Sequence, residues 1–354
     1  MMQRAGMQST GMQRTGTRGF GIIGTGMIAA VHADAIATLA GARLAAVTDV
    51  NKAAAVAFAL ERGGEAEPDL DALLARADVD VVCVCVPSGL HAEVGTRVAK
   101  AGKHLVVEKP IDVTLEAADR LIEAVGAAGV ALTVISQHRF DPGLIELQRL
   151  LGRGTLGQLV LGEASTKWYR TQAYYDSAQW RGTWAMDGGS LLNQGVHYVD
   201  LLRWCMGPVA EVTAVCSTQA HQIEVEDTAL AIVRFTSGAA GTILSSTAAF
   251  PGCPQRLEIT GTKGTVTIED GQVIRRAFGD DPRSAQAGGS QSGAAADPAA
   301  LDVSGHAAQI TDLLAAIDEG REPAVGGAAG RDALEIVCAV YESSRLGRPV
   351  SVGS

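Results

Sequence analysis

The apolar positions in the first third of the chain fall into short β-branched runs separated by longer Ala-rich stretches. "GFGII", "RLAAVT", "DVVCVCV", "HLVVE" and "VALTVI" predict strands, and the spacing between them predicts helices over Met27–Leu39, Lys52–Leu60, Leu90–Ala101 and Leu115–Ala128. Strands that are apolar at successive positions are covered on both faces, and regular strand–helix alternation supplies that cover. The pattern predicts a doubly wound α/β domain with a parallel sheet over residues 18–138.

After Phe140 the rhythm changes. A helix is predicted around Leu144–Leu151, a strand over Leu159–Lys167, a helix through "GGSLLNQGVHYVD" (Gly188–Asp200), and then several strands in succession. Leu257 and Ile259 alternate with Glu258 and Thr260, and Val266 and Ile268 with Thr267 and Glu269, as in a sheet whose two faces are packed differently. Successive strands without intervening helices pair antiparallel, so residues 139–354 predict an α+β domain on a large, mostly antiparallel sheet. Helices over His306–Glu319 and Arg331–Arg345 close it. The Gly/Ser/Ala-rich segment at about 279–302 predicts a mobile loop, and residues 1–17, which lack the apolar run of a secretory signal, predict a disordered extension.

Composition narrows the function more than the fold. A chain of 354 residues, 47% apolar, has material for two cores. A net charge of -10 without a Lys/Arg block argues against nucleic acid or an anionic membrane as partner, since both need a cationic footprint. The longest nearly apolar run, Val125–Ile135, is too short to span a bilayer. The six cysteines include no C-x-x-C pair, and Cys83 and Cys85 lie in a strand pattern. They read as reduced core thiols in a cytoplasmic protein, with no metal site.

Candidate chemistry begins at Gly24-Thr25-Gly26-Met27-Ile28-Ala29, a G-x-G-x-x-A turn between the first strand and first helix. Gly24 permits the tight turn, Gly26 lets a pyrophosphate approach the backbone, and Ala29 allows close helix–strand packing. Asp49, twenty residues after Ala29 at the end of the second strand, is placed to bind ribose hydroxyls. Its charge opposes a 2′-phosphate and favours NAD, while nearby Lys52 keeps NADP open. The strand ending at Pro87-Ser88, with His91 after it, and the strand ending at Glu108-Lys109-Pro110 point at the same crevice. Ser88 could equally be a helix cap. A desolvated Lys109 could polarise a hydroxyl or carbonyl for hydride transfer, and Pro110 could fix a rigid, even cis, turn. Asn193 and His197 lie one helical turn apart on a face offset from the apolar stripe, behind Gly188 and Gly189, which suit a close backbone approach at the mouth of a site.

These motifs, in this order, resemble the Gfo/Idh/MocA oxidoreductase family from about Arg18 to Val352. The resemblance implies an N-terminal Rossmann domain, a C-terminal domain with an open-faced sheet, NAD(P)-dependent redox chemistry on a small carbohydrate or cyclitol, and a homo-dimer or homo-tetramer. Lys109 matches the family's catalytic lysine and His197 its catalytic histidine; Asn193 stands where the inositol dehydrogenases of the family carry Asp. Pro87, Ser88, His91, Glu108 and Lys109 are then expected at the cofactor.

Substrate-wall candidates are Gln137, His138 and Arg139 and the stretch Lys167–Trp184, which holds three of the chain's five Tyr and three of its four Trp. Within it Trp168, Arg170, Tyr175, Trp180 and Arg181 suit the apolar faces and hydroxyl edges of a sugar, although any one of them is equally compatible with a loop core. The stretch has no basic cluster, which argues against nucleotide-linked sugars and for aldoses, anhydrosugars or inositols. Two rivals share the scaffold: a glycosidase that oxidises its sugar transiently, and a non-catalytic dinucleotide-sensing regulator, against which the presence of both Lys109 and His197 argues. A metal-dependent hydrolase built on His197 and Asp200 lacks further ligands at useful spacing.

Overall fold

In the computed structural model, which describes residues 16–279 and 302–353, the apolar runs of the first domain form one parallel sheet. Its strands are β1 (Arg18–Ile23), β2 (Ala42–Thr48), β3 (Glu65–Ala66), β4 (Val81–Val84), β5 (His104–Val107) and β6 (Leu132–Val134), in the order 3-2-1-4-5-6. In β1, β4 and β5 alternate residues enter different cores. Phe20, Ile22, Val81, Cys83 and Val106 pack on one face with Ala29 and Ile36, while Val82, Val84, Leu105 and Val107 pack on the other with Val98 and Leu121. This is why the runs are continuously apolar. The strand order reverses between β1 and β4, and the turns leaving their carboxyl ends form the crevice where such sheets take ligands.

The second sheet has eight strands: β7 (Leu159–Lys167), β8 (Val209–Ser217), β9 (Thr228–Phe235), β10 (Ala240–Ser246), β11 (Arg256–Gly261), β12 (Gly264–Glu269), β13 (Gln272–Phe278) and β14 (Val350–Ser351). They lie in the order 13-12-11-7-10-9-8-14. Every neighbouring pair is antiparallel except β7 and β10, so the sheet is mixed. Leu257, Ile259, Val266 and Ile268 are buried in one core with Leu202 and Met206 of the helix Val196–Met206. The opposite face is open, with Leu161, Val215, Leu230 and Ile232 exposed.

Three features depart from the sequence reading. The predicted helix through Gly188–Asp200 is a π-helical turn over Leu191–Gly195 followed by the α-helix Val196–Met206. A Cβ on Gly195 would lie 2.8 Å from the Ser245 hydroxyl, so the turn needs glycine to seat against β10. A short helix, Leu70–Ala75, capped by Asp69, went unpredicted. The helix Ser304–Glu319 returns to the first domain, where Ile310 and Leu313 share a core with Phe20, Ile22 and Ala33, although a boundary after residue 138 assigned it to the second. The predicted extension and most of the predicted mobile loop, residues 1–15 and 280–301, lie outside the described residues. Among the described residues no helix is long and apolar enough to cross a membrane.

Candidate active site

The glycine turn after β1 is shaped by two different needs. Gly24 has φ +86°, and a Cβ there would lie 2.5 Å from the Cys85 carbonyl oxygen, so only glycine lets the exits of β1 and β4 pass. Gly26 faces open space, with nothing within 4 Å of where its Cβ would be. That opening, at the free N–H groups of the helix Met27–Thr38, fits a pyrophosphate. Met27 is exposed and Ile28 half-buried beside it. Asp49 braces the turn: its Oδ2 accepts from the Thr25 amide and hydroxyl at 2.7 and 2.9 Å, and its Oδ1 from the Asn51 amide at 2.8 Å. It remains half-buried, with lone pairs left for a ribose.

Beyond β4, Pro87 leads into a single 3-10 turn, Ser88–Leu90, in which Ser88 is buried. His91 was expected beside the cofactor, but it is buried with Nδ1 2.7 Å from the Pro110 carbonyl and Nε2 2.9 Å from that of Val86. It ties the ends of two strands together, and burial lowers its pKa. Glu108, also expected at the cofactor, turns its carboxylate inward. Oε1 lies 2.7 Å from His32 Nε2 and 3.6 Å from His306 Nε2, and Oε2 accepts from the Lys109 amide. Burial alone would raise this carboxyl, yet His306 and His32 hold it well below the ordinary value. The Lys109–Pro110 peptide is cis.

Lys109 meets Asn193 through hydrogen bonds and shares one cavity wall with His197. Lys109 Nζ donates to the Asn193 carbonyl oxygen at 2.8 Å and to Asn193 Oδ1 at 3.3 Å. Burial lowers its pKa, Glu108 and Asp187 oppose that shift, and Arg181 and Arg170 reinforce it. His197 is buried, packs edge-on to His138 at 5.2 Å, and is pushed well below the ordinary histidine value by burial, then by Lys109 and His138. Lys109, His197, Ser136 and Asp200 line a cavity of about 20 Å³, room for one water-sized group. Asn193 Nδ2 donates to Asp187 Oδ1, and Asp187 Oδ2 accepts from the Gly182 amide at 2.7 Å. Sequence reasoning passed over Asp187, although it directly precedes Gly188-Gly189.

The wall residues divide. Arg139 is not free for substrate: its guanidinium grips Asp200 at 2.7 and 2.5 Å and stacks on Trp204. Tyr175 is core, its hydroxyl 2.8 Å from Thr247 Oγ1 and its ring against His221. Tyr174, passed over in the sequence, organises the remainder. Arg170 and Arg181 both lie over its ring, Arg181 donates to its hydroxyl at 2.8 Å, Trp168 stacks on Arg170 and Trp180 on Arg181. Two arginines whose charges reach Lys109 form a basic cluster that the linear sequence hid, so the argument against nucleotide-linked sugars does not stand. The glycine pair also has another role than close approach to substrate: Gly188 has φ +80°, and a Cβ on Gly189 would overlap the Glu226 carboxylate.

Comparison with known proteins adds two family matches. Residues 18–136 match the model described as "Oxidoreductase family, NAD-binding Rossmann fold", and residues 144–267 match "GFO/IDH/MocA C-terminal domain". The chain is 30% identical over 337 residues to inositol 2-dehydrogenase of Rhizobium meliloti (strain 1021), covering 91% of this chain and 95% of that one. It is 32% identical to the WlbA dehydrogenase of Bordetella pertussis, solved with NADH and UDP-GlcNAcA, with TM-score 0.86 over 96% of this chain and 99% of that one. A levoglucosan dehydrogenase solved with NADH and levoglucosan, 22% identical, shares the fold with TM-score 0.85 over 95% of this chain and 99% of that one.

Proposed function

The chain belongs to the GFO/IDH/MocA family of NAD-binding oxidoreductases, and from that premise we propose that it reversibly oxidises a secondary alcohol of a sugar or cyclitol. The observation that carries this reading is that Lys109, just past the carboxyl end of β5, hydrogen-bonds Asn193 and lines one small cavity with His197. NAD, when bound, supplies the hydride acceptor. Gly24, Thr25, Gly26, Met27, Ile28 and Asp49 would hold its phosphate and ribose end, with Pro87 and Ser88 beside the nicotinamide end.

Lys109 has three N–H donors, and Asn193 takes two of them. The third serves the substrate oxygen. His197, held neutral, takes the hydroxyl proton; the carbinol carbon gives up its hydrogen with the bonding pair, and the alcohol becomes a ketone. The Lys109 ammonium stabilises the negative charge that develops on oxygen.

Within this class the charges favour an acidic sugar, free or nucleotide-linked, over a neutral cyclitol. Arg170 and Arg181 add positive charge around Lys109; Asp187 offsets only part of it, and the Glu108 charge is already shared with His32 and His306. A substrate carboxylate would balance them. The relatives span both possibilities, from inositol 2-dehydrogenase to WlbA with its bound UDP-GlcNAcA. The open apolar row Leu161, Val215, Leu230 and Ile232 supports assembly through the second sheet into a homo-dimer or homo-tetramer.

The test is NADH formation with inositols, aldoses, anhydrosugars, uronates and nucleotide-linked uronates, using wild type and Lys109→Ala. Turnover that falls at least about 100-fold in Lys109→Ala, with NADH binding intact, is expected. If NAD binds and no compound gives Lys109-dependent turnover, the dehydrogenase reading fails.

A further inference from the structure

We propose that Asp187 is a positioning residue for this reaction, fixing the side-chain amide of Asn193 so that its oxygen, and not its nitrogen, faces Lys109. The inference rests on the dehydrogenase reading above and concerns how its lysine is aimed.

A carboxamide has a donor end and an acceptor end of nearly equal size, so packing alone leaves its orientation undecided. Its partners decide it. Lys109 is a donor only, and Asp187, buried and already accepting from the Gly182 amide through its other oxygen, faces Asn193 as an acceptor. With Nδ2 donating to Asp187 and Oδ1 accepting from Lys109 at 3.3 Å, both demands are met. The flipped amide would set N–H against the ammonium and oxygen against the carboxylate, two repulsive contacts in a buried place. Asp187 is itself held in place, because its second oxygen accepts from the Gly182 amide at 2.7 Å and its own amide donates to the Thr183 carbonyl at 3.2 Å. Lys109 thus donates to Asn193 and Asn193 to Asp187, Gly182 donates to Asp187 from the other side, and one N–H of Lys109 is left for the substrate.

The arrangement also bears on charge. The groups whose charges act on Lys109 are Glu108, Asp187, Arg181 and Arg170; burial raises the Asp187 carboxyl, and the Gly182 amide, Arg181, Asn193 and Lys109 oppose that rise. Asp187 is thus one of the two carboxylates that favour the ammonium, and Glu108 already answers to His32 and His306. A further consequence separates this chain from relatives with Asp at position 193. Asn193→Asp alone would set two carboxylates against each other, whereas exchange of both residues restores every hydrogen bond: an Asn at 187 accepts from Gly182 and donates to an Asp at 193, whose other oxygen accepts from Lys109.

The experiment compares wild type, Asp187→Asn, Asn193→Asp and the double exchange, each saturated with NAD, by steady-state kinetics. In parallel, Lys109 is labelled with acetic anhydride across pH without substrate and read by mass spectrometry. Each single variant is expected to lose about tenfold or more in kcat, with the KM for NAD within about twofold of wild type, and the double exchange to recover most of the loss. The labelling midpoint of Lys109 is expected to fall in Asp187→Asn. A double exchange no better than the product of the singles, or an unmoved midpoint, overturns the inference. If wild type itself turns over nothing, the dehydrogenase reading has failed, and the labelling arm still decides the role of Asp187.

Discussion

His197 and Lys109 share one buried space, and each is pushed toward its neutral form. Burial, Lys109 and His138 lower the histidine from its ordinary 6.5, and burial lowers the lysine from 10.5 against the pull of Glu108 and Asp187. A base must be neutral and an electrophilic lysine charged, so activity rises as pH passes the histidine's pKa and falls as it passes the lysine's. Plotted against pH, kcat/KM is expected to be a bell with its acid limb below 6.5 and its basic limb below 10.5. An acid limb at or above 6.5 would remove His197 as the base. Arg139 makes the contrary point about single residues. It lies beside Gln137 and His138 in sequence and reads as substrate wall, but its partner is Asp200, three residues beyond His197, and only the folded chain brings the two together. Asp200→Ala would leave the guanidinium buried and unpaired, an expected cost of about 3–5 kcal/mol by urea unfolding. A loss under about 1 kcal/mol would return Arg139 to the list of substrate contacts.

Elements with a strict period were legible, and those set by one close contact were not. The strands of the first domain announce themselves because both faces are buried, and β11 and β12 because theirs alternate. Nothing in the residue pattern of Leu191–Gly195 announces a π-turn, and the Ser245 side chain against which Gly195 seats lies fifty residues away in sequence. The glycine pair before it is similar: Gly189 is glycine because Glu226 occupies the space of its side chain. Glu226 accepts from the Leu191 amide at 2.8 Å and from the Tyr341 hydroxyl at 3.2 Å, and burial pushes its carboxyl up to about 7 from an ordinary 4.5. Between those values the folded chain holds a proton that the unfolded chain has released. Stability is therefore greatest below 4.5, falls as pH rises to about 7, and stays low beyond. Glu226→Gln removes this dependence and is expected to stabilise the protein near pH 8 by about 3 kcal/mol, with the gap closing toward pH 5. Urea midpoints at both pH values check it; an equal gap at each would mean that Glu226 stays ionised in the fold. Gly189→Ala should cost about 1–3 kcal/mol at either pH, because the methyl group overlaps the carboxylate whatever its charge.

At the scale of the molecule, order in sequence and order in space diverge at the helix Ser304–Glu319. Its amphipathic pattern was legible, but its address was not, because an apolar stripe does not say which of two cores it will join. Leu313 is fully buried against the first domain, so Leu313→Ala is expected to cost about 2–5 kcal/mol and to be offset in part by saturating NADH, which binds the domain it completes. A thermal shift insensitive to NADH would place the damage in the second domain instead.

That address has a consequence for how the protein comes off the ribosome. Residues 18–138 emerge first and carry all six strands of their sheet, yet Phe20, Ile22 and Ala33 gain their last cover only when residues 304–319 follow, after the eight-stranded sheet has been all but completed. A nascent chain then displays a patch of uncovered nucleotide-domain core throughout the synthesis of its second half, the kind of surface on which chaperones act and on which truncated chains aggregate. The helix that seals it also sets His306 against Glu108 of the Glu-Lys-Pro turn, so the same late event that ends the exposure finishes the surroundings of the lysine.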